Sequence, residues 1–138
     1  ETPENSQMVQ AGCEGLVVYQ ETYDKKAYAE YHTAGPKKNF AWRIDCPERG
    51  YEGGFRRIGI GALMGLSDWR GEALRLAAHL EYLYRVCWKS SLTISLPRLR
   101  PAAGEFQPRE VMSDADFVRA LCAFRVCFPH VVIALRTR

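Results

Sequence analysis

Apolar positions in this chain cluster into short uninterrupted runs, separated by longer stretches with helical spacing. Gly15-Leu16-Val17-Val18-Tyr19, Arg57-Ile58-Gly59-Ile60-Gly61-Ala62, Leu92-Thr93-Ile94-Ser95-Leu96 and Val131-Val132-Ile133-Ala134-Leu135 each read as a strand. Pro3 to Gly12 reads as the tail of a helix closed by its glycine. From Asp24 to His32, Tyr23, Ala27, Tyr28 and Tyr31 fall near one helical face, and Gly35-Pro36 breaks the pattern. A second helical stretch runs from Phe40 to Gly53, with Pro47 near a first turn or kink. Ser67 caps a long helix through Val86, and Ser113 with Asp116 forms a capping box that opens a helix to Cys127.

Strands alternating with helices predict repeated βαβ units, and right-handed crossovers then give a parallel α/β sheet. Strands that are apolar throughout predict cover on both faces. Two architectures remain open: a doubly wound sheet, or an arc of a (β/α) barrel. Four such strands fall short of the roughly eight that close a barrel. The last strand runs to the final residues, which reads as an internal piece of a longer protein. The whole of 1–138 is taken as one domain.

Composition narrows the function classes. A 47% apolar and 25% charged chain is globular rather than disordered. The net charge of +3, with both signs interspersed, is too weak to point to nucleic acid. No apolar run approaches the roughly 18 residues of a membrane span, and the acidic start, Glu1-Thr2-Pro3-Glu4-Asn5, is not a secretory signal. The five cysteines at 13, 46, 87, 122 and 127 make no CxxC or CxxxCxxC pattern. A reducing cytoplasm is therefore the expected setting, and each cysteine reads as a small buried residue.

In parallel α/β folds ligands meet the carboxyl ends of the strands, so the residues just after each strand matter most. After the first come Gln20, Glu21 and Thr22, polar groups for hydroxyls or an amine; the plain alternative is that Thr22 or Asp24 caps the next helix. After the second, Gly59 to Gly65 offers backbone access, with Ile60, Leu63 and Met64 as apolar surface for a flat ring, unless it is merely a strand-to-helix turn. After the third, Arg98 and Arg100 are bracketed by Pro97 and Pro101, a stiffened fork for a carboxylate or simply a pair of solvated arginines. Arg43, beside Trp42, either faces a ligand carboxylate or packs on the surface. His32, His79 and His130 have no metal-ligand spacing and read as structural.

The strings Val18-Tyr19-Gln20-Glu21-Thr22-Tyr23, Tyr28-Ala29-Glu30-Tyr31-His32, Gly35-Pro36-Lys37-Lys38, Gly59 through Arg70 and Pro97 through Ala102 follow one another in the order of a known family. Together they resemble the central part of the 2-iminoacetate synthases, radical S-adenosylmethionine (SAM) tyrosine lyases of thiamine biosynthesis. The resemblance implies part of a radical SAM TIM-like barrel, with S-adenosylmethionine and a 4Fe–4S cluster as cofactors. It implies hydrogen abstraction from tyrosine by a 5′-deoxyadenosyl radical and cleavage of the Cα–Cβ bond to p-cresol and dehydroglycine. A thiazole synthase is the implied protein partner.

By the same resemblance, Gln20, Glu21 and Thr22 lie near the ribose and amino-acid part of S-adenosylmethionine, and Arg43 faces its carboxylate. Ile60, Gly61, Ala62 and Leu63 line the adenine, and Arg98 or Arg100 holds the tyrosine carboxylate. The cluster's three-cysteine motif is expected upstream of this chain, which alone should have no lyase activity. Where the family tends to carry Leu-Ser-Thr-Arg, this chain has Leu135-Arg136-Thr137-Arg138, so substrate contacts there are not carried over. The alternatives are a hydrogenase-maturation tyrosine lyase of the same superfamily and a non-catalytic βαβ module for a nucleotide-like ligand.

Overall fold

A computed structural model describes residues 2–99 and 106–135. Along the chain it gives α1 (Thr2–Gln10), β1 (Gly15–Glu21), α2 (Lys25–Tyr31), a 3-10 turn (Pro36–Lys38), α3 (Phe40–Ile44), α4 (Cys46–Glu52) and β2 (Arg57–Ala62). Then follow α5 (Trp69–Val86), β3 (Ser91–Ser95), α6 (Asp114–Cys127) and β4 (Val132–Ala134). Arg100 and Arg136, singled out from the sequence, lie outside the described residues.

Local chemistry sets the helix starts. Asp24 accepts from the amides of Lys26 and Ala27 to open α2, and Ser113 accepts from Asp116 N to open α6. The expected cap of α5 is corrected: Asp68, not Ser67, accepts from Gly71 N at 2.7 Å, because the Ser67 hydroxyl is turned to the buried Glu72 carboxylate. The stretch 40–53 is two helices rather than one. They meet at Asp45, and Pro47 sits in the first turn of α4, where its missing N–H costs nothing.

The strands form one parallel sheet in the order β1-β2-β3-β4. Sequential order with crossovers of one hand places every connecting helix on the same face. Side chains alternate accordingly. Val18, Ile60 and Ile94 share one register row and are buried, with Ile58 and Leu92 in the next row, against Leu76, Leu80 and Leu83 of α5 and Phe124 of α6. The opposite face carries Val17, Gly59, Thr93 and Val132 in register, and Val17 and Val132 are 61% and 51% exposed. The expectation of cover on both faces is therefore corrected: the described elements cover one. Alternation was masked in β1, β2 and β4 because the open-face residues Val17, Gly59 and Val132 are themselves apolar or glycine. Sequential order with one-sided helices is an arc of a barrel, not a doubly wound sheet, which needs helices on both sides.

One further expectation changes. Of the cysteines, Cys87 is buried, Cys46 is half-buried, and Cys13, Cys122 and Cys127 are exposed. Burial pushes the Cys87 thiol up to about 11, with Glu48 and Glu52 adding to the shift. Among the described residues no helix is long and apolar enough to cross a membrane.

His79 of α5 ties the helix layer to the turn after β1. Its Nδ1 lies 2.8 Å from the Tyr23 hydroxyl. Burial and then the Glu72 charge push the Tyr23 phenol well above its ordinary range, so it stays protonated.

Burial also lowers the pKa of His79 from 6.5 to about 4. The unfolded chain takes up a proton below its ordinary value that the folded chain refuses. Stability should then fall as pH drops from 6.5 toward 4, by up to about 3 kcal/mol. Urea midpoints measured across that window should show the loss in the parent and a shallower one in His79→Gln.

Gly61 marks a close strand approach. A Cβ there would lie 2.4 Å from the Ser95 carbonyl oxygen and 2.9 Å from the Tyr19 ring. Gly61→Ala should cost about 1–3 kcal/mol in chemical denaturation. Gly59→Ala should cost less, because its Cβ would meet only the exposed Val17 side chain.

Candidate functional site

The carboxyl ends of β1, β2 and β3 are knitted together beyond the regular sheet. Leu63 N donates to Glu21 O at 2.7 Å, Met64 N to Pro97 O and Leu99 N to Met64 O, each at 2.8 Å. The register of β1 slips between Tyr19 and Glu21, and Glu21 takes a left-handed φ of 70°. It is the one described non-glycine residue with a positive φ, a conformation that costs on the order of 1 kcal/mol and persists only where surroundings enforce it. The bulge re-aims the side chains of the strand tip.

At this tip Gln20 is 3% exposed and its Nε2 is buried without a hydrogen-bond partner. A buried amide left with an unused donor costs about 1–3 kcal/mol. Arg43 of α3 reaches over the strand end and donates from Nε and Nη2 to Tyr19 O, at 3.1 and 2.9 Å. The Glu21 carboxylate, still partly open to solvent, pairs with Lys37 at 3.1 Å. Gln20, Glu21 and Arg43 are thus brought together, with Leu63 joined to them through its amide.

Other predicted site residues are used differently. Thr22 is fully buried and gives its hydroxyl to Glu72 Oε1 at 2.7 Å, so it is committed within the fold. The Ile60 side chain belongs to the helix-facing core at 1% exposure, opposite in direction to Gly59 and Gly61, and presents no apolar surface to a ring. Ala62 is likewise in that core; Gly61, on the other face, borders Tyr19 and Ser95.

Arg98 is not an open fork. Its Nη1 donates to Asp114 at 2.6 Å and to Met112 O, and its guanidinium lies 4.4 Å from the Phe117 ring centroid. It braces β3 against the start of α6, where it also offsets the negative charge of Asp114.

The residue the sequence reading passed over is Glu72. Fully buried, it accepts from Thr22 Oγ1, Ser67 Oγ, Tyr23 N and Asp24 N. An acidic residue in the first turn of a helix ordinarily reads as a complement to the helix dipole. Nothing in its spacing announces burial.

A groove of about 810 Å³ opens between α2, α3, α4 and α5, lined by Tyr23, Phe40, Ile44, Asp45, Arg75 and His79 among others. None of Gln20, Glu21, Arg43, Gly61 or Leu63 lines it, so it is separate from the strand tips.

The tip residues fit part of an S-adenosylmethionine molecule: the unused Gln20 donor suits a hydroxyl or carboxylate. They do not fit an iron–sulfur cluster. Among the described residues no group of three or more Cys, His, Asp or Glu side chains could hold a metal.

No family model matches the chain. It is 41% identical over 136 residues to 2-iminoacetate synthase of Escherichia coli, and 42% identical over 128 residues to that of Salmonella typhimurium. Those matches take in 98% and 92% of the chain but 36% and 34% of the relatives, so the chain spans about a third of their length. The FeFe-hydrogenase maturase HydG from Carboxydothermus hydrogenoformans matches with a TM-score of 0.91 and 35% identity, over 99% of this chain and 32% of that one. A second HydG structure matches with the same TM-score at 29% identity. The arc of strands and helices is therefore part of a radical SAM barrel, and the chain is a relative of 2-iminoacetate synthase across about a third of that enzyme's length.

Proposed function

We propose that the protein is a tyrosine lyase of the 2-iminoacetate synthase kind, cleaving the Cα–Cβ bond of tyrosine to p-cresol and dehydroglycine. The observation that carries this reading is 41% identity sustained over 136 residues. Bound at these tips, S-adenosylmethionine would supply the adenosyl radical that abstracts hydrogen from the substrate. The chain's own residues bind and orient. The Gln20 amide donates to the ligand's ribose or amino-acid end, Arg43 fixes the β1 carbonyl beneath it, and the Gly61–Leu63 backbone forms the wall beside the adenine. Arg98 or Arg100 is the candidate for the tyrosine carboxylate. The cysteines for a cluster would come from outside this chain. A thiazole synthase partner and a cytoplasmic setting belong to the same proposal.

The fold match to HydG at a TM-score of 0.91 favours a second reading, a hydrogenase-maturation lyase. Identity of 41–42% to the iminoacetate synthases against 35% and 29% to HydG ranks it lower.

Anaerobic assay of the full-length protein with tyrosine and S-adenosylmethionine should give p-cresol and dehydroglycine. Cyanide and carbon monoxide as products would replace the first reading by the second, and no tyrosine cleavage would remove both. Gln20→Leu, close in volume but without the amide, should weaken S-adenosylmethionine binding about 10-fold and leave tyrosine affinity unchanged in equilibrium titrations.

A further inference from the structure

We propose that Glu72 is the positioning residue for the cofactor side of the strand tips, an inference that rests on reading those tips as an S-adenosylmethionine site. Both of its carboxylate oxygens are used. Oε1 accepts from Thr22 Oγ1 at 2.7 Å, Ser67 Oγ at 2.5 Å and Asp24 N at 3.2 Å, and Oε2 accepts from Tyr23 N at 2.7 Å. Among the described residues these partners are hydroxyls and backbone amides, with no cation between them and the carboxylate. A buried carboxylate without a counter-ion is costly, and only a full set of donors makes it tolerable. A tie needed only for stability is made more cheaply by apolar packing.

What the carboxylate joins gives it a purpose. Thr22, Tyr23 and Asp24 immediately follow the bulged, left-handed tip of β1, which carries Gln20 and Glu21. Ser67 lies in the β2–α5 loop, which runs from Leu63 to Asp68. Glu72 therefore clamps the two walls together from behind, while the Leu63 N to Glu21 O bond joins them in front. The separation between the Gln20 amide and the Gly61–Leu63 backbone is set by this pair of fastenings. The strained φ at Glu21 has its enforcing surroundings in the same place.

Glu72→Gln keeps the shape but replaces one acceptor oxygen by an NH₂ group that faces existing donors. In the full-length holoenzyme, S-adenosylmethionine affinity should fall about 10-fold, tyrosine affinity should hold, and amide exchange at Tyr23 and Asp24 should quicken. Leu76→Ala, a cavity in the fully buried core of the same helix, controls for lost stability and should leave cofactor affinity at the parent's value. Unchanged affinity in Glu72→Gln, or an equal loss in Leu76→Ala, overturns the positioning role while the lyase reading stands. Failure of the parent itself to bind S-adenosylmethionine overturns that reading and this inference with it. Should Glu72→Gln not fold, Ser67→Ala removes a single donor and serves in its place: about a threefold loss supports the role, and parental affinity overturns it.

Discussion

One carboxylate holds the strand ends of this molecule in register. Glu72 enters the core on the first turn of α5 and takes hydrogen bonds from two hydroxyls and two backbone amides. The Thr22 and Ser67 hydroxyls and the Tyr23 amide would otherwise be buried polar groups in need of a partner. Removing the acceptor would orphan several of them together, so the arrangement is all or nothing. It also explains features that seem unrelated in the sequence. Ser67 does not cap its helix because its hydroxyl is needed inward, and Thr22 likewise turns its hydroxyl to the same carboxylate.

Most of the architecture was legible because it follows from short-range rules. The strands at 15, 57 and 92 are apolar runs between turn signals, and Asp24 and Ser113 cap their helices through local bonds. Pro47 was rightly placed near a first turn, though the joint at Asp45 that divides α3 from α4 depends on packing and leaves no local mark. Whether the sheet was doubly wound or barrel-like could not be read from the strands. That is decided by strand order, a property of pairings between residues about 40 positions apart.

The site was legible in outline and misread in detail for a single reason. Position after a strand picks out the right segments, but the direction of each side chain depends on the pleat. Ile60 and Gly61 are neighbours in the chain and face opposite sides of the sheet, so an apolar surface assigned to Ile60 belongs to the core. Arg98 looked free because its partner Asp114 is 16 residues away on the next helix. The bulge at Gln20 and the positive φ of Glu21 were invisible because nothing in a glutamine or glutamate foretells them.

The uneven placement of the five thiols has a practical corollary. Cys13, Cys122 and Cys127 are in contact with water, whereas Cys87 is sealed and its thiolate is disfavoured at neutral pH. A maleimide dye would therefore decorate the periphery and spare the interior until the core opens. Accessibility of that one sealed sulfur is thus a built-in reporter of global unfolding, and the exposed three are the points at which air would cross-link one molecule to another.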